Sequence, residues 1–157
     1  MTNSSVHFSS QSSAWSTPQN FYDRLDDEFY FTLDPCATVE NAKCERYFTI
    51  DDDGLSKPWA GRVFMNPPYG RAIGSWVRHA FEESLCRYCY VVVGLVPSRT
   101  DTAWWHDWVM QADEIRLVKG RLKFGEHKNS APFPSAVVVW TGQWKEIQFS
   151  TMKARIK

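Results

Sequence analysis

The densest chemistry in the chain lies at Asn66-Pro67-Pro68-Tyr69. Two consecutive prolines fix the backbone and supply no N–H, so the segment offers acceptors only: the Asn66 side-chain oxygen and the carbonyls of Asn66 and Pro67. Such a set of acceptors is a receptor for an NH2 group. An aromatic amine is a poor nucleophile because its lone pair is delocalised into the ring. Acceptors gripping its hydrogens favour a nitrogen turning tetrahedral, and they stabilise the positive charge it gains on attacking a methyl sulfonium. No low-pKa general base is needed, since the proton can leave after the methyl has moved. Tyr69 can stack on a planar base, an interaction worth about 1–3 kcal/mol.

An α/β pattern positions this segment. Phe21, Tyr22, Leu25 and Phe29 recur at three- and four-residue steps, which predicts an amphipathic helix with Thr17 as N-cap and Pro18 at its first position. Phe31 to Leu33 reads as a short strand ending at Asp34-Pro35, Glu40 to Phe48 as a short helix, and Asp51 to Gly54 as a turn. Arg62 to Met65 is a strand that ends directly at the Asn-Pro-Pro-Tyr segment. Ligands bind at the carboxyl ends of strands in open α/β sheets, so this is the expected place for a site. Ile73 to Leu85 follows as a helix, Tyr88 to Val96 as a strand buried on both faces, and Thr102 to Met110 as a Trp-rich helix with Trp105 and Trp108 turned to the core. Glu114 to Val118 and Ser135 to Trp140 close the pattern as two further strands, joined by the basic segment Lys119 to Pro134. The reading is a three-layer, mostly parallel α/β sheet with a closing antiparallel strand, a single domain over 15–157 behind a flexible segment at 1–14.

Composition narrows the class. With 157 residues, 43% apolar and 15% aromatic, the chain is a folded domain with room for a core but not for a separate substrate-reading domain. Neither a signal peptide nor a run approaching the roughly 18 apolar residues of a membrane span is present, which predicts a cytoplasmic protein without a membrane partner. The four cysteines do not form two tight pairs, so free thiols rather than a metal site or disulfides are expected. Net charge is zero but polarised: three Lys/Arg against ten Asp/Glu in residues 1–56, six against six in 57–114, and nine against two in 115–157. The basic third suits phosphates, with Arg99, Arg116, Lys119, Arg121, Lys123 and Lys128 as candidate contacts.

Taken in order, Trp15-Ser16-Thr17-Pro18, Leu33-Asp34-Pro35-Cys36-Ala37, Glu40-Asn41-Ala42-Lys43-Cys44, Asp53-Gly54-Leu55, Phe64-Met65-Asn66-Pro67-Pro68-Tyr69-Gly70, Val96-Pro97-Ser98-Arg99-Thr100-Asp101-Thr102 and Ala131-Pro132-Phe133-Pro134-Ser135-Ala136 resemble the phage and prophage family of DNA N6-adenine methyltransferases. The likeness runs from about residue 15 to residue 142. It implies a class I, Rossmann-like fold, S-adenosyl-L-methionine as cofactor, DNA as substrate, and action in a bacterial host cell. It also implies that Asn66 to Tyr69 is the catalytic motif, that Asp34, Pro35, Cys36 and Ala37 replace a Gly-rich cofactor loop, and that Trp15, Thr17 and Pro18 lie against the methionine end of the cofactor. One of Asp51, Asp52 or Asp53 would bind its ribose or adenine. No G-x-G follows the first strand, a departure from the broader methyltransferase pattern.

The residues support these roles on their own terms. Asp34 at a strand end can receive an ammonium, and an acidic residue at the next strand end suits a ribose diol. Phe133, held between two prolines, can form with Tyr69 the two faces of an aromatic sandwich around an extruded adenine, offsetting the few kcal/mol that base extrusion costs. Alternatives within the same chemistry are an amine in RNA or a glutamine amide in a protein; outside it stands a non-catalytic DNA-binding accessory module. With no insertion for a recognition domain, a short or relaxed target sequence is expected.

Overall fold

A computed structural model describes residues 16–125, 127–143 and 145–156. The expected flexible segment at 1–14, and Trp15, lie outside the described residues. Helix α1 (Gln19–Phe29) precedes strands β1 (Leu33–Asp34) and β2 (Arg46–Tyr47), a 3₁₀ turn at Gly54–Ser56 and strand β3 (Gly61–Met65). Helix α2 (Ile73–Ser84), strand β4 (Cys89–Pro97), helix α3 (Ala103–Trp108) and strands β5 (Glu114–Lys119), β6 (Ser135–Trp140) and β7 (Gln148–Lys153) complete the chain. The sheet order is β2-β1-β3-β4-β6-β5-β7. Every neighbouring pair is parallel except those made by β6, which is antiparallel to both β4 and β5. This is a Rossmann-like fold in which the antiparallel strand sits inside the sheet and β7 forms one edge.

Alternation along β3, β4 and β6 divides the core into two halves. Val63, Met65, Val92, Val96, Val138 and Trp140 face α2 and α3 on one side. Phe64, Val91, Val93, Leu95, Val137 and Val139 face α1 and the segment bearing Leu122, Phe124 and Ala131 on the other. Two packed faces are what the continuous apolar run in β4 demands. Trp105 is buried as expected, whereas Trp108 is half-buried beneath the Arg78 guanidinium and against Phe81.

Three local expectations are corrected. Thr17 does not cap α1: Pro18 holds the cap position and its carbonyl accepts from the Phe21 and Tyr22 amides, both at 3.0 Å. No helix forms at 40–48. Thr38 and Asn41 lock a turn through reciprocal bonds, and the Asp34 carboxylate accepts the Lys43 amide at 3.1 Å, which draws the following residues alongside β1 as β2. Strand β7 is absent from the sequence reading because its side chains alternate only between exposed and half-buried, with Phe149 at 61% exposure, so no apolar period marks it.

Gly54 fixes how closely the 3₁₀ turn approaches the residue after β1. A Cβ there would overlap the Pro35 carbonyl and stand 3.0 Å from the Trp76 ring. Gly54→Ala is therefore expected to cost about 1–3 kcal/mol, a fall of roughly 3–10 °C in Tm by differential scanning calorimetry. An unchanged Tm would mean that the turn is free to retreat.

Candidate active site

Strands β1, β3, β4 and β5 run parallel, so their carboxyl ends share one edge of the sheet, and β6 enters the sheet at that edge. Asn66 follows β3 there. Its Nδ2 donates to Thr17 Oγ1 at 3.0 Å, and its carbonyl accepts from the Cys36 thiol at 3.2 Å. Burial pushes the Cys36 thiol well up from its ordinary value, so it remains a protonated donor. The Asn66 carbonyl, one of the acceptors expected of the segment, is thus engaged by the protein itself.

Asp34, 5% exposed, accepts from the Cys36 amide at 3.4 Å as well as from Lys43. Its side chain lines a small pocket with Ser16, Thr17, Cys36, Asn66 and Pro68. A second cavity of about 710 Å³ shares the Cys36 and Pro68 walls and extends past Pro35, Ala37, Val39, Ile50, Leu55 and Trp76, with Glu40, Asp51 and Asp53 also on its wall. That volume lies in the range that holds small-molecule cofactors, and a mainly apolar wall with a few carboxylates suits a nucleoside. Asp52 differs from its neighbours: its carboxylate accepts from the Thr49 amide and hydroxyl at 2.8 and 2.9 Å, which closes the turn. Pro18 lines neither space.

Tyr69 is half-buried, its hydroxyl 3.5 Å from the Leu95 carbonyl. Burial raises its pKa, so it stays a neutral phenol. Its ring meets Phe133 edge-on at 5.3 Å and Phe124 at 6.2 Å. A base sandwiched between Tyr69 and Phe133 needs roughly 7–8 Å between parallel rings, twice a contact distance. The rings here touch each other instead.

Phe124, 1% exposed, completes this aromatic trio and is not among the residues expected from the sequence. Its signal was an aromatic inside an otherwise basic, turn-rich run. Nor does the sequence assign Thr17 to Asn66, or Val39, Ile50, Leu55 and Trp76 to a cavity, because those contacts join segments distant in the chain.

Five of the six candidate cations remain exposed: Arg99 beyond β4, Lys119 at the end of β5, and Arg121, Lys123 and Lys128 in the connection to β6. That connection is tied to the same edge of the sheet, with the Gly125 amide donating to the Ser16 carbonyl at 2.8 Å and the Ser98 amide donating to the Pro134 carbonyl at 2.9 Å. Arg116 is different. It is bidentate with Glu28 at 2.6 Å, pairs with Glu114 at 2.9 Å and lies over the Phe29 ring. Among the described residues no group of three His, Cys, Asp or Glu side chains could hold a metal ion, and no helix is long and apolar enough to cross a membrane.

An acceptor motif at the carboxyl edge of a Rossmann-like sheet, beside a nucleoside-sized cavity, defines an amino-methyltransferase class of site. The family model for DNA N-6-adenine-methyltransferase (Dam) matches residues 4–155, and the chain belongs to that family. It is 29% identical over 111 residues to the DNA N-6-adenine-methyltransferase of Escherichia phage T1, covering 69% of this chain and 45% of that protein. It is likewise 29% identical over 135 residues to the DNA N-6-adenine-methyltransferase of Haemophilus phage HP1, covering 80% of this chain and 77% of that one. The chain thus spans less than half the length of the T1 relative.

The buried Asp34 carboxyl is pushed up to about 6 from an ordinary 3.8, chiefly by desolvation and despite the two amides it accepts. Between those values the folded protein keeps a proton that the unfolded chain has released, so folding stability is fullest below about pH 4 and falls as pH rises through about 6. Thermal melts of wild type and Asp34→Asn across pH 4 to 7 should show the wild type losing ground to the variant. A constant difference would contradict the raised value.

Proposed function

We propose that this protein transfers a methyl group from S-adenosylmethionine to the N6 amine of adenine in DNA, inside a bacterial host cell. The observation that carries this reading is the seating of Asn66-Pro67-Pro68-Tyr69 at the sheet edge, one shared wall from the 710 Å³ cavity. The cofactor, when bound, supplies an electrophilic methyl on a sulfonium. The apolar walls at Val39, Ile50, Leu55 and Trp76 suit its adenine, and Asp51 or Asp53 its ribose hydroxyls. Asp52 does not line that cavity and its Oδ2 accepts from Thr49, which favours its two neighbours. Asp34 and Thr17 suit the methionine end from the smaller pocket, with Pro35, Cys36 and Ala37 forming the turn between the two spaces.

The residues of the chain then divide the work. Asn66 Oδ1 and the Pro67 carbonyl accept the hydrogens of the target amine and stabilise the charge it gains. The Asn66 carbonyl, engaged by Cys36, holds the motif in place. The proton released by the amine passes to solvent. Tyr69 and Phe133 stack on the extruded base once Phe133 swings off the Tyr69 edge, and the buried Phe124 supports them from behind. Arg99, Lys119, Arg121, Lys123 and Lys128 hold the DNA backbone around the site.

Labelled cofactor incubated with adenine-methylation-free DNA should label the DNA. Label appearing only in RNA or protein would overturn the substrate. Asn66→Ala should lower kcat at least about 10²-fold with a native melting curve, and wild-type rates from it would refute the acceptor role. Phe133→Ala should act mainly through the KM for DNA.

Lys123→Ala and Arg121→Ala should weaken DNA binding and flatten the dependence of log Kd on log salt by about one for each phosphate no longer neutralised. Arg116→Ala should leave that slope unchanged while lowering Tm, since its partners are Glu28 and Glu114. A salt slope altered by Arg116→Ala instead would return that residue to the DNA surface.

A further inference from the structure

We infer that Ser135 is a base-binding residue, its hydroxyl donating to a ring nitrogen of the extruded adenine. The inference rests on the adenine reading proposed above. Asn66 and Pro67 present oxygens, which answer only the donor half of an amino base. The ring nitrogens N1, N3 and N7 are acceptors that lose water on entering a closed site, so a donor facing one of them adds to binding.

Ser135 supplies such a donor. It is 2% exposed, and its Oγ is buried without a hydrogen-bond partner. Buried hydroxyls are ordinarily paired, and one left unpaired is a standing cost that an acceptor on a ligand relieves. Pro134 before it and Pro97 opposite it in the sheet have no N–H to offer. A ring nitrogen of neutral adenine carries no proton, so the hydroxyl meets it in one sense only, as the donor.

Its placement fits that partner. Ser135 heads β6, which enters the sheet at the edge that carries Asn66, and its register partner Pro97 ends β4. Two residues further along, Val137 stands opposite Leu95, and both belong to the half of the core that contains Phe124 and has Phe133 packed against it. Side chains two apart on a strand share a face, so Ser135 lies on that side of the sheet. The Tyr69 hydroxyl is 3.5 Å from the Leu95 carbonyl, and the Tyr69 ring meets Phe133, two residues before Ser135, at 5.3 Å. The buried hydroxyl and the aromatic trio therefore occupy one end of one face. Strand β6 lies two places from β3, about 10 Å at the usual interstrand spacing, a gap that a purine ring with a hydrogen bond at either end spans. The Ser98 amide, bonded to the Pro134 carbonyl at 2.9 Å, fixes the backbone beside the hydroxyl.

The test is a cycle between Ser135→Ala and single-atom changes in the base. Duplexes carrying the methylated site, located first by sequencing with modified-base detection, are made with 1-deaza-, 3-deaza- or 7-deazaadenine at the target position, each replacing one ring nitrogen by C–H. On the ordinary duplex Ser135→Ala should lower kcat/KM about three- to tenfold, the size of one neutral hydrogen bond. The Kd for that duplex with S-adenosylhomocysteine present should rise by a similar factor, and the cofactor Kd should stay within about twofold of wild type. With one of the three analogues the difference between wild type and variant should shrink to less than about twofold. Altered ring electronics change the amine equally in both proteins, so this ratio isolates the contact. A difference that persists with all three analogues, or wild-type kinetics from Ser135→Ala, would overturn the inference.

Calorimetry reads the hydroxyl independently of turnover. Ser135→Ala should melt at or above the wild-type temperature, since it removes an unpaired buried group; a clear fall would mean that the hydroxyl already has a partner within the protein, and would overturn the inference as well. A wild-type protein that methylates no adenine would overturn the adenine reading itself, whereas adenine methylation without coupling to Ser135 would overturn this inference alone.

Discussion

A buried carboxylate organises this end of the molecule. Asp34 ends β1 almost out of contact with solvent, and the cost of keeping it there is offset by the amides of Cys36 and Lys43. The first bond turns the chain sharply after β1, which brings the Cys36 thiol onto the Asn66 carbonyl. The second brings residues 43–47 back beside β1, where β2 can pair. The wall between the two pockets, the seat of the acceptor motif and the outermost strand all follow from one side chain. A Gly-rich loop after β1 would give a ligand bare backbone; this chain supplies a carboxylate-pinned turn.

The second theme is economy. The connection from β5 to β6 combines several features at once. Its lysines and arginines face outward while Phe124 and Phe133 turn in against Tyr69. Its Gly125 amide is bonded to Ser16, next to the threonine that holds Asn66. The residues proposed to meet phosphate and base thus share one connection, and that connection is bonded beside the residue that contacts Asn66. In the aromatic trio the half-buried Tyr69 and Phe133 rings rest against the buried Phe124.

Much of this was legible in the sequence because it was local. The acceptor character of Asn66-Pro67-Pro68-Tyr69 follows from proline chemistry, and the buried strand β4 from its unbroken apolar run. What was not legible depended on long-range partners. Thr17 reads as a helix cap by position, and only the fold brings Asn66 within reach of its hydroxyl. Arg116 reads as one more cation in a basic third until Glu28, 88 residues away, takes it. The three aspartates at 51–53 are alike in type, and the turn geometry alone spends Asp52 on Thr49. Strand β2 was hidden because two residues carry no periodicity, and its pairing depends on the bond from Lys43 to Asp34.

The account turns on oxygen acceptors presenting an adenine amine to a methyl donor. Its most direct test is nucleoside mass spectrometry of DNA from a host lacking adenine methylation that expresses the wild-type chain or Asn66→Ala. The account predicts N6-methyladenine with the wild type and none with the variant. Unmodified DNA from the wild type, or a methyl group found only on cytosine, would contradict it.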